Sequence, residues 1–318
     1  MNETIKHTVR LKNFDFPNGE IPFSVLEKIA DQLRKVSEGA LRIYLEGYSS
    51  NKRGREPEWL AKSLDFTLSG IKKGSTVLEI KAPLLTDILV NYQKPLFDEL
   101  EVDTLKNQTA ISLAISAYER AFETNSDTSN FDKNLLKVML GFNKFFHKEG
   151  KEFIDIQSPT INKKIKIAAK NLKKIEILEE KTPADQKIKI TGKLEMMRHS
   201  NNQLELITTN GKIKAFINND SLVATAKDFF GDDVTLDGIA HFNPRGKVVS
   251  FEIESISTAD KSATYFQNTP MAIQATLDLP GLMQIQNYKG VNKNKLNQII
   301  DELDIQEDLS SLLSSLTQ

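Results

Sequence analysis

The chain has 318 residues, enough for two or three domains that each bury a core, and its 39% hydrophobic and 27% charged content is that of an ordinary soluble globular protein. A formal charge of -1 argues against a general DNA coater, so attraction to phosphate has to come from local patches. With no cysteine there are no disulfides or thiolate metal sites, as fits a reducing cytosol; Met1–Lys6 lacks a secretory pattern, and no apolar run reaches the roughly 20 residues of a membrane span.

In chain order, His7 to Phe14 reads as a first strand with Val9 and Leu11 on one face. Ile21 to Val36 carries Val25, Leu26, Ile29, Leu33 and Val36 at helical spacing, with Pro22 in the first turn, where its missing N–H costs nothing. After Gly39, the alternation of Leu41, Ile43 and Leu45 predicts a second strand. A short helix around Trp59 and Leu60 precedes two further strands, Leu64 to Leu68 and Ser75 to Ile80. From Leu84 to Gly150 the period is helical, with Ile111, Ile115, Tyr118 and Phe122 on one stripe and Leu135, Leu136, Met139, Leu140 and Phe142 on another. Phe153 to Ile156 is expected to add an edge strand. Residues 1–158 therefore read as an α+β domain, an N-terminal antiparallel sheet with packed helices.

Residues 159–181 read as a basic helical linker in which Lys163, Lys164, Lys166, Lys170, Lys173 and Lys174 alternate with apolar positions, and Thr182-Pro183-Ala184-Asp185 marks the boundary. Residues 182–258 carry the clearest pattern. Ile188, Ile190, Leu194 and Met196 alternate with polar residues, Leu204 to Ile207 follows, Asn210-Gly211 signals a hairpin turn, and Ile213, Ala215 and Ile217 return. A short helix, Ser221 to Phe229, has Asp220 as its cap and Gly231 past its end; two strands, Val234 to Phe242 and Lys247 to Ile256, follow. Three strands, a helix and two strands is the element order of a five-stranded OB-like β-barrel, an architecture often used to hold single-stranded nucleic acid. Residues 259–318 read as a polar connection, in which Met271 to Asp278 can add a strand, and an acidic helical tail.

Catalytic spacing is missing: there is no phosphate loop, no Gly-x-Ser-x-Gly elbow and no His-Glu-x-x-His. His7, His147, His199 and His241 are scattered singly, although His199 and His241 fall near strand ends of the barrel and can approach each other. Neither a metal nor a cofactor is expected. The barrel holds Lys187, Lys189, Lys193, Arg198, Lys212, Lys214, Arg245 and Lys247 as candidate nucleic-acid contacts, with Phe216, Phe242 and Phe251 as stacking groups or core.

Three stretches, Asp65 to Glu79, Gly192 to Ser200 and Val234 to Phe242, together resemble a family of uncharacterised bacterial proteins often encoded beside PIN-like nuclease toxins. The resemblance covers most of the chain and implies an antitoxin-like or phage-defence-associated protein, but it transfers no catalytic motif. It also implies an acidic C-terminal segment with apolar anchors. In this chain Asp304, Ile305, Glu307, Asp308, Leu309 and Leu312 have that character and are the expected contacts for a partner nuclease. The leading expectation is thus a non-enzymatic regulatory protein in the cytoplasm that neutralises a partner nuclease, with contact to nucleic acid left open. Two alternatives stay open: a single-stranded oligonucleotide-binding module, and an enzyme with a composite site, for instance around Arg53, Glu56 and Asp65.

Overall fold

The computed structural model describes residues 3–16, 20–49, 56–72, 76–89, 105–123, 127–128, 130–147, 150–198, 203–217, 220–259, 266–267 and 272. Its first half is a five-stranded antiparallel sheet built from β1 (Thr4–Lys12), β2 (Thr67–Lys72), β3 (Val77–Pro83), β4 (Phe153–Ser158) and β5 (Lys163–Ile167), in the spatial order β2-β3-β1-β4-β5. The first four strands and the helices between them make a split βαββαβ arrangement, which β5 widens by a hairpin.

Alternation along each strand divides the sheet into a covered and an open side. His7, Val9 and Leu11 of β1 are buried, whereas Lys6 and Arg10 between them are exposed. The covered side packs on α1 (Phe23–Glu46), α4 (Ala110–Phe122), α5 (Lys133–Leu140) and α6 (Ala169–Lys181). One core joins Val9, Leu78, Ile80, Ile154, Ile156 and Ile167 to Ile29, Leu33, Ile115, Tyr118, Leu136 and Leu172. Two short helices, α2 (Glu58–Ser63) and α3 (Leu85–Leu89), close a smaller cluster with Leu41 and Leu45.

Three expectations are corrected here. Leu41, Ile43 and Leu45 lie inside α1 and form no strand, because Leu41 and Leu45 share a helical stripe and point together into the smaller core. Gly39 does not end the helix. A Cβ on it would lie 2.9 Å from Leu135 Cδ1, so the glycine is there to let α5 come close. Residues 159–181 are not one basic helix either: Asn162 turns the chain at φ 47, Lys163 to Ile167 continue as β5 with Ile165 and Ile167 facing inward, and only Ala169–Lys181 is helical. The hairpin partner this supplies also makes β4 an interior strand rather than an edge.

The second half is a closed barrel of β6 (Gln186–Arg198), β7 (Gln203–Thr208), β8 (Gly211–Ile217), β9 (Asp233–Phe242) and β10 (Val248–Thr258), in the order β10-β8-β7-β6-β9. The β8–β10 pairing is parallel, and β6 pairs with both β7 and β9. With α7 (Asp220–Asp228) between β8 and β9, this is the OB-like architecture the sequence predicts. Ile190, Leu194, Leu206, Ile213, Leu236, Phe242 and Phe251 fill it, and α7 contributes Val223 and Ala226. Ladder closure needs a close backbone approach at Gly238, where a Cβ would sit 1.9 Å from the Glu252 carbonyl oxygen. In the β7–β8 hairpin the central turn residues are Thr209 and Asn210, and Gly211 follows them as the first strand residue at φ 116. No helix among the described residues is long and apolar enough to cross a membrane.

Candidate functional site

Strand β8 has two faces with different tasks. Ile213, Ala215 and Ile217 point into the barrel, so the residues between them, Lys212, Lys214 and Phe216, point out toward the helical layer of the sheet half. Phe216 is only 1% exposed because Tyr48, just past the end of α1, covers it edge-on with ring centroids 4.9 Å apart. The other side of Tyr48 stacks on His241 at 5.8 Å and 8°. Asp132 caps α5 by accepting from Leu135 N at 2.7 Å and also accepts from Ser49 N and Ser49 Oγ, at 2.6 and 2.5 Å, which fixes the segment carrying Tyr48.

His241 completes this junction. Its Nδ1 lies 3.1 Å from Asp185 in the connector between the halves, and its Nε2 lies 3.0 Å from Glu252 on β10. Burial opposes charge on the ring, but the hydrogen bonds and attraction from the two carboxylates outweigh it and push the pKa up to about 9. The ring is therefore an imidazolium at neutral pH, sandwiched between a tyrosine and two acids.

Beside this contact the two halves leave a cleft of about 680 Å³, within the roughly 300–1,000 Å³ range of ligand sites. One wall comes from α1 and α4 with the segment before α5, and carries Tyr44, Ser116, Arg120 and Asn130; the other is the outer face of β8 and the β9–β10 turn, and carries Lys212, Lys214, Asn243 and Lys247. No aspartate or glutamate is among its described lining residues. Arg120 lies 5.5 Å over the Phe131 ring, which orients its guanidinium. Asn243 Oδ1 accepts from the backbone N–H groups of Arg245 and Lys247, both at 3.0 Å, so the turn that presents Lys247 is held from within. Tyr44 is 37% exposed and lines the same wall.

Of the eight predicted cations, the structure brings Lys212, Lys214 and Lys247 into this cleft. Lys212 is also tied to Glu205 at 2.5 Å, with Glu195 at 3.9 Å. Lys187 pairs with Glu254 at 2.6 Å and Lys189 with Asp237 at 3.7 Å, so both are answered by acids on neighbouring strands. Lys193 is exposed on β6 opposite Asp233, and Arg245 is exposed in the β9–β10 turn. Arg198 ends β6 opposite Gln203. The stacking role considered for the phenylalanines does not hold: Phe242 and Phe251 are core at 1% and 0% exposure, and Phe216 is taken by Tyr48. Arg120 and Tyr44 were invisible to sequence reasoning because nothing local marks them as neighbours of a strand some 90 or more residues away in the chain.

Other expected contacts are not assembled. Asp304, Ile305, Glu307, Asp308, Leu309 and Leu312, the Asn292–Leu303 tail, the Met271–Asp278 strand except Ala272, His199 and Arg53 all lie outside the described residues. Glu56 is engaged by Arg34 at 2.9 Å and Asp65 is exposed, so neither contributes to a converging set. A second groove of about 460 Å³ between α1 and β2–β3 is lined by Leu26, Ile29, Leu33, Phe66 and Leu68 and is apolar, with charge only at its rim. Among the described residues no three His, Asp or Glu side chains gather at metal-ligand spacing. No family model, curated protein or solved structure matches this chain.

Proposed function

We propose that the protein is a non-enzymatic binding protein that holds single-stranded nucleic acid in the cleft between the helical layer and the barrel. One observation carries this reading: Arg120, Lys214 and Lys247, with Lys212 shared with Glu205, converge beside Tyr44 in a cleft whose described lining has no carboxylate. Cations answer phosphates while a ring accepts a base, which is the combination single-strand binding requires. The cations lie on the outward face of the barrel's second hairpin and in its last turn, where OB-type barrels hold oligonucleotides. A cytoplasmic location goes with this reading, since a chain with no cysteine draws nothing from an oxidising compartment.

The test is fluorescence anisotropy with a labelled oligothymidylate of about 8 nucleotides, within the range one such barrel covers. Lys214→Glu with Lys247→Glu is expected to weaken binding by more than tenfold and to reduce the salt slope by about 0.7 for each cation lost. Tyr44→Ala is expected to cost about 1–3 kcal/mol of affinity, the worth of one stacked base. An affinity indifferent to salt, or unchanged in the double variant, refutes the proposal.

A further inference from the structure

The open face of the N-terminal sheet lies on the side away from the helices and therefore away from the cleft. Register fixes which side chains share it. One row runs across all five strands as Lys72, Val77, Arg10, Asp155 and Lys166. The next runs Gly70, Glu79, Thr8, Gln157 and Lys164. Lys81 faces Lys6 in a third row, and Lys12 faces Phe153 in a fourth. Seven cations thus share the face with two carboxylates, in a chain whose formal charge is -1.

The two acids are already engaged. Glu79 bridges Lys6 at 3.2 Å and Lys72 at 2.7 Å, and Asp155 binds Lys164 at 2.7 Å. Arg10, Lys81 and Lys166 remain exposed beyond that pairing. Lys81 directly opposite Lys6 is a like-charge cross-strand pair, which lowers sheet stability where an acid would raise it. Such an arrangement is understandable on a surface that meets an anion.

The face also indicates which anion. Lasting attachment to a membrane surface combines cations with apolar groups that insert, and among the described residues the exposed large apolar ones are elsewhere: Leu68 and Ile71 pair with Ile80 and Leu78 on the helix-covered side, and Phe23, Tyr44, Ile177 and Phe230 are not on this sheet. The ring that the described residues put on the face, Phe153, is half-buried and carries Lys166 Nζ 3.6 Å above its centre, so it is capped against a stacking base. What remains is a cationic sheet face about 19 Å across, from four strand spacings of about 4.8 Å. We propose that this face is a second nucleic-acid site, separate from the cleft, which grips the phosphodiester backbone without reading bases. With both sites occupied, one molecule holds two strands, or two stretches of one strand, on opposite sides of its helical layer.

The experiment uses the full chain and a labelled strand of about 40 nucleotides, long enough to engage more than one site. The substitutions Arg10→Gln, Lys81→Gln and Lys166→Gln neutralise exposed side chains without reversing charge, and circular dichroism with a melting curve checks the fold. On top of Lys214→Glu with Lys247→Glu, they are expected to remove the remaining binding of the long strand; alone, they are expected to weaken it about tenfold and flatten the salt slope by about 2, while leaving the short oligonucleotide unaffected. Undiminished binding of the long strand by the folded triple-Gln variant overturns the proposal and leaves the cleft reading intact. Loss in the triple-Gln variant with none in the cleft variant supports this face and refutes the cleft. Capture by phosphatidylserine vesicles with no affinity for either strand overturns both.

Discussion

The sheet half and the barrel each bury a histidine, and they treat it in opposite ways. His7 on β1 is 0% exposed and meets only the hydroxyl of Thr109, at 3.0 Å; burial lowers its pKa to about 4, so the ring is neutral at physiological pH. His241 on β9 is 3% exposed but lies between two carboxylates, and its pKa rises to about 9. Equal burial therefore gives two charge states, and the neighbours decide which. The sheet half keeps its ring as part of a core, whereas the barrel uses its ring as a cationic rivet between two elements and a connector.

The largest effect is expected where the rivet is broken mechanically. Tyr48→Ala removes the ring that packs on both Phe216 and His241 and should cost roughly 3–5 kcal/mol in urea unfolding. A loss under about 1 kcal/mol would mean that the junction contributes little.

Removing the charge comes next. His241→Leu leaves Glu252 and Asp185 without their cation and should cost about 3 kcal/mol at pH 7. A folded pKa raised from 6.5 to about 9 means that the stabilisation is complete below pH 6.5 and fades as pH rises through 9. The parent should therefore lose stability on the alkaline side, and the variant should lack that limb, as urea midpoints at pH 6, 8 and 10 will report.

The smallest change sharpens the comparison from the other end. His7→Leu exchanges a neutral buried ring for an apolar side chain and should shift stability at pH 7 by less than about 1.5 kcal/mol. Its signature is the pH profile. A folded pKa lowered to about 4 makes the native state less stable as pH falls from 6.5 toward 4, and the substitution should flatten that acid limb while leaving the alkaline one.

The barrel was legible because its strands alternate cleanly and its turns and single helix fall in the right order; Ile188 to Ile256 needed no tertiary information to be placed. The second half of α1 was not, since Leu41, Ile43 and Leu45 fit a period of two as well as a helix, and Gly39 sits in the helix for close packing that no local pattern marks. The lysines of residues 163–166 fit a helical stripe in the sequence as well as a strand, and only the β4–β5 pairing puts Lys164 and Lys166 on a sheet face. For the cleft, only the barrel wall was readable. Its other wall comes from Tyr44, Arg120 and Asn130, which only tertiary packing brings to β8, and five of the barrel's eight predicted cations are not among its described lining.

Asp185 belongs to the connector and Tyr48 to the upstream half, yet both are needed to finish the outer wall of the barrel. The barrel is consequently a poor candidate for transplantation. Recombination that joined it to a different upstream partner would leave Phe216 facing water and a positive ring short of one acid, so gene fusions and expression fragments that cut near residue 185 should yield sticky, poorly recovered products.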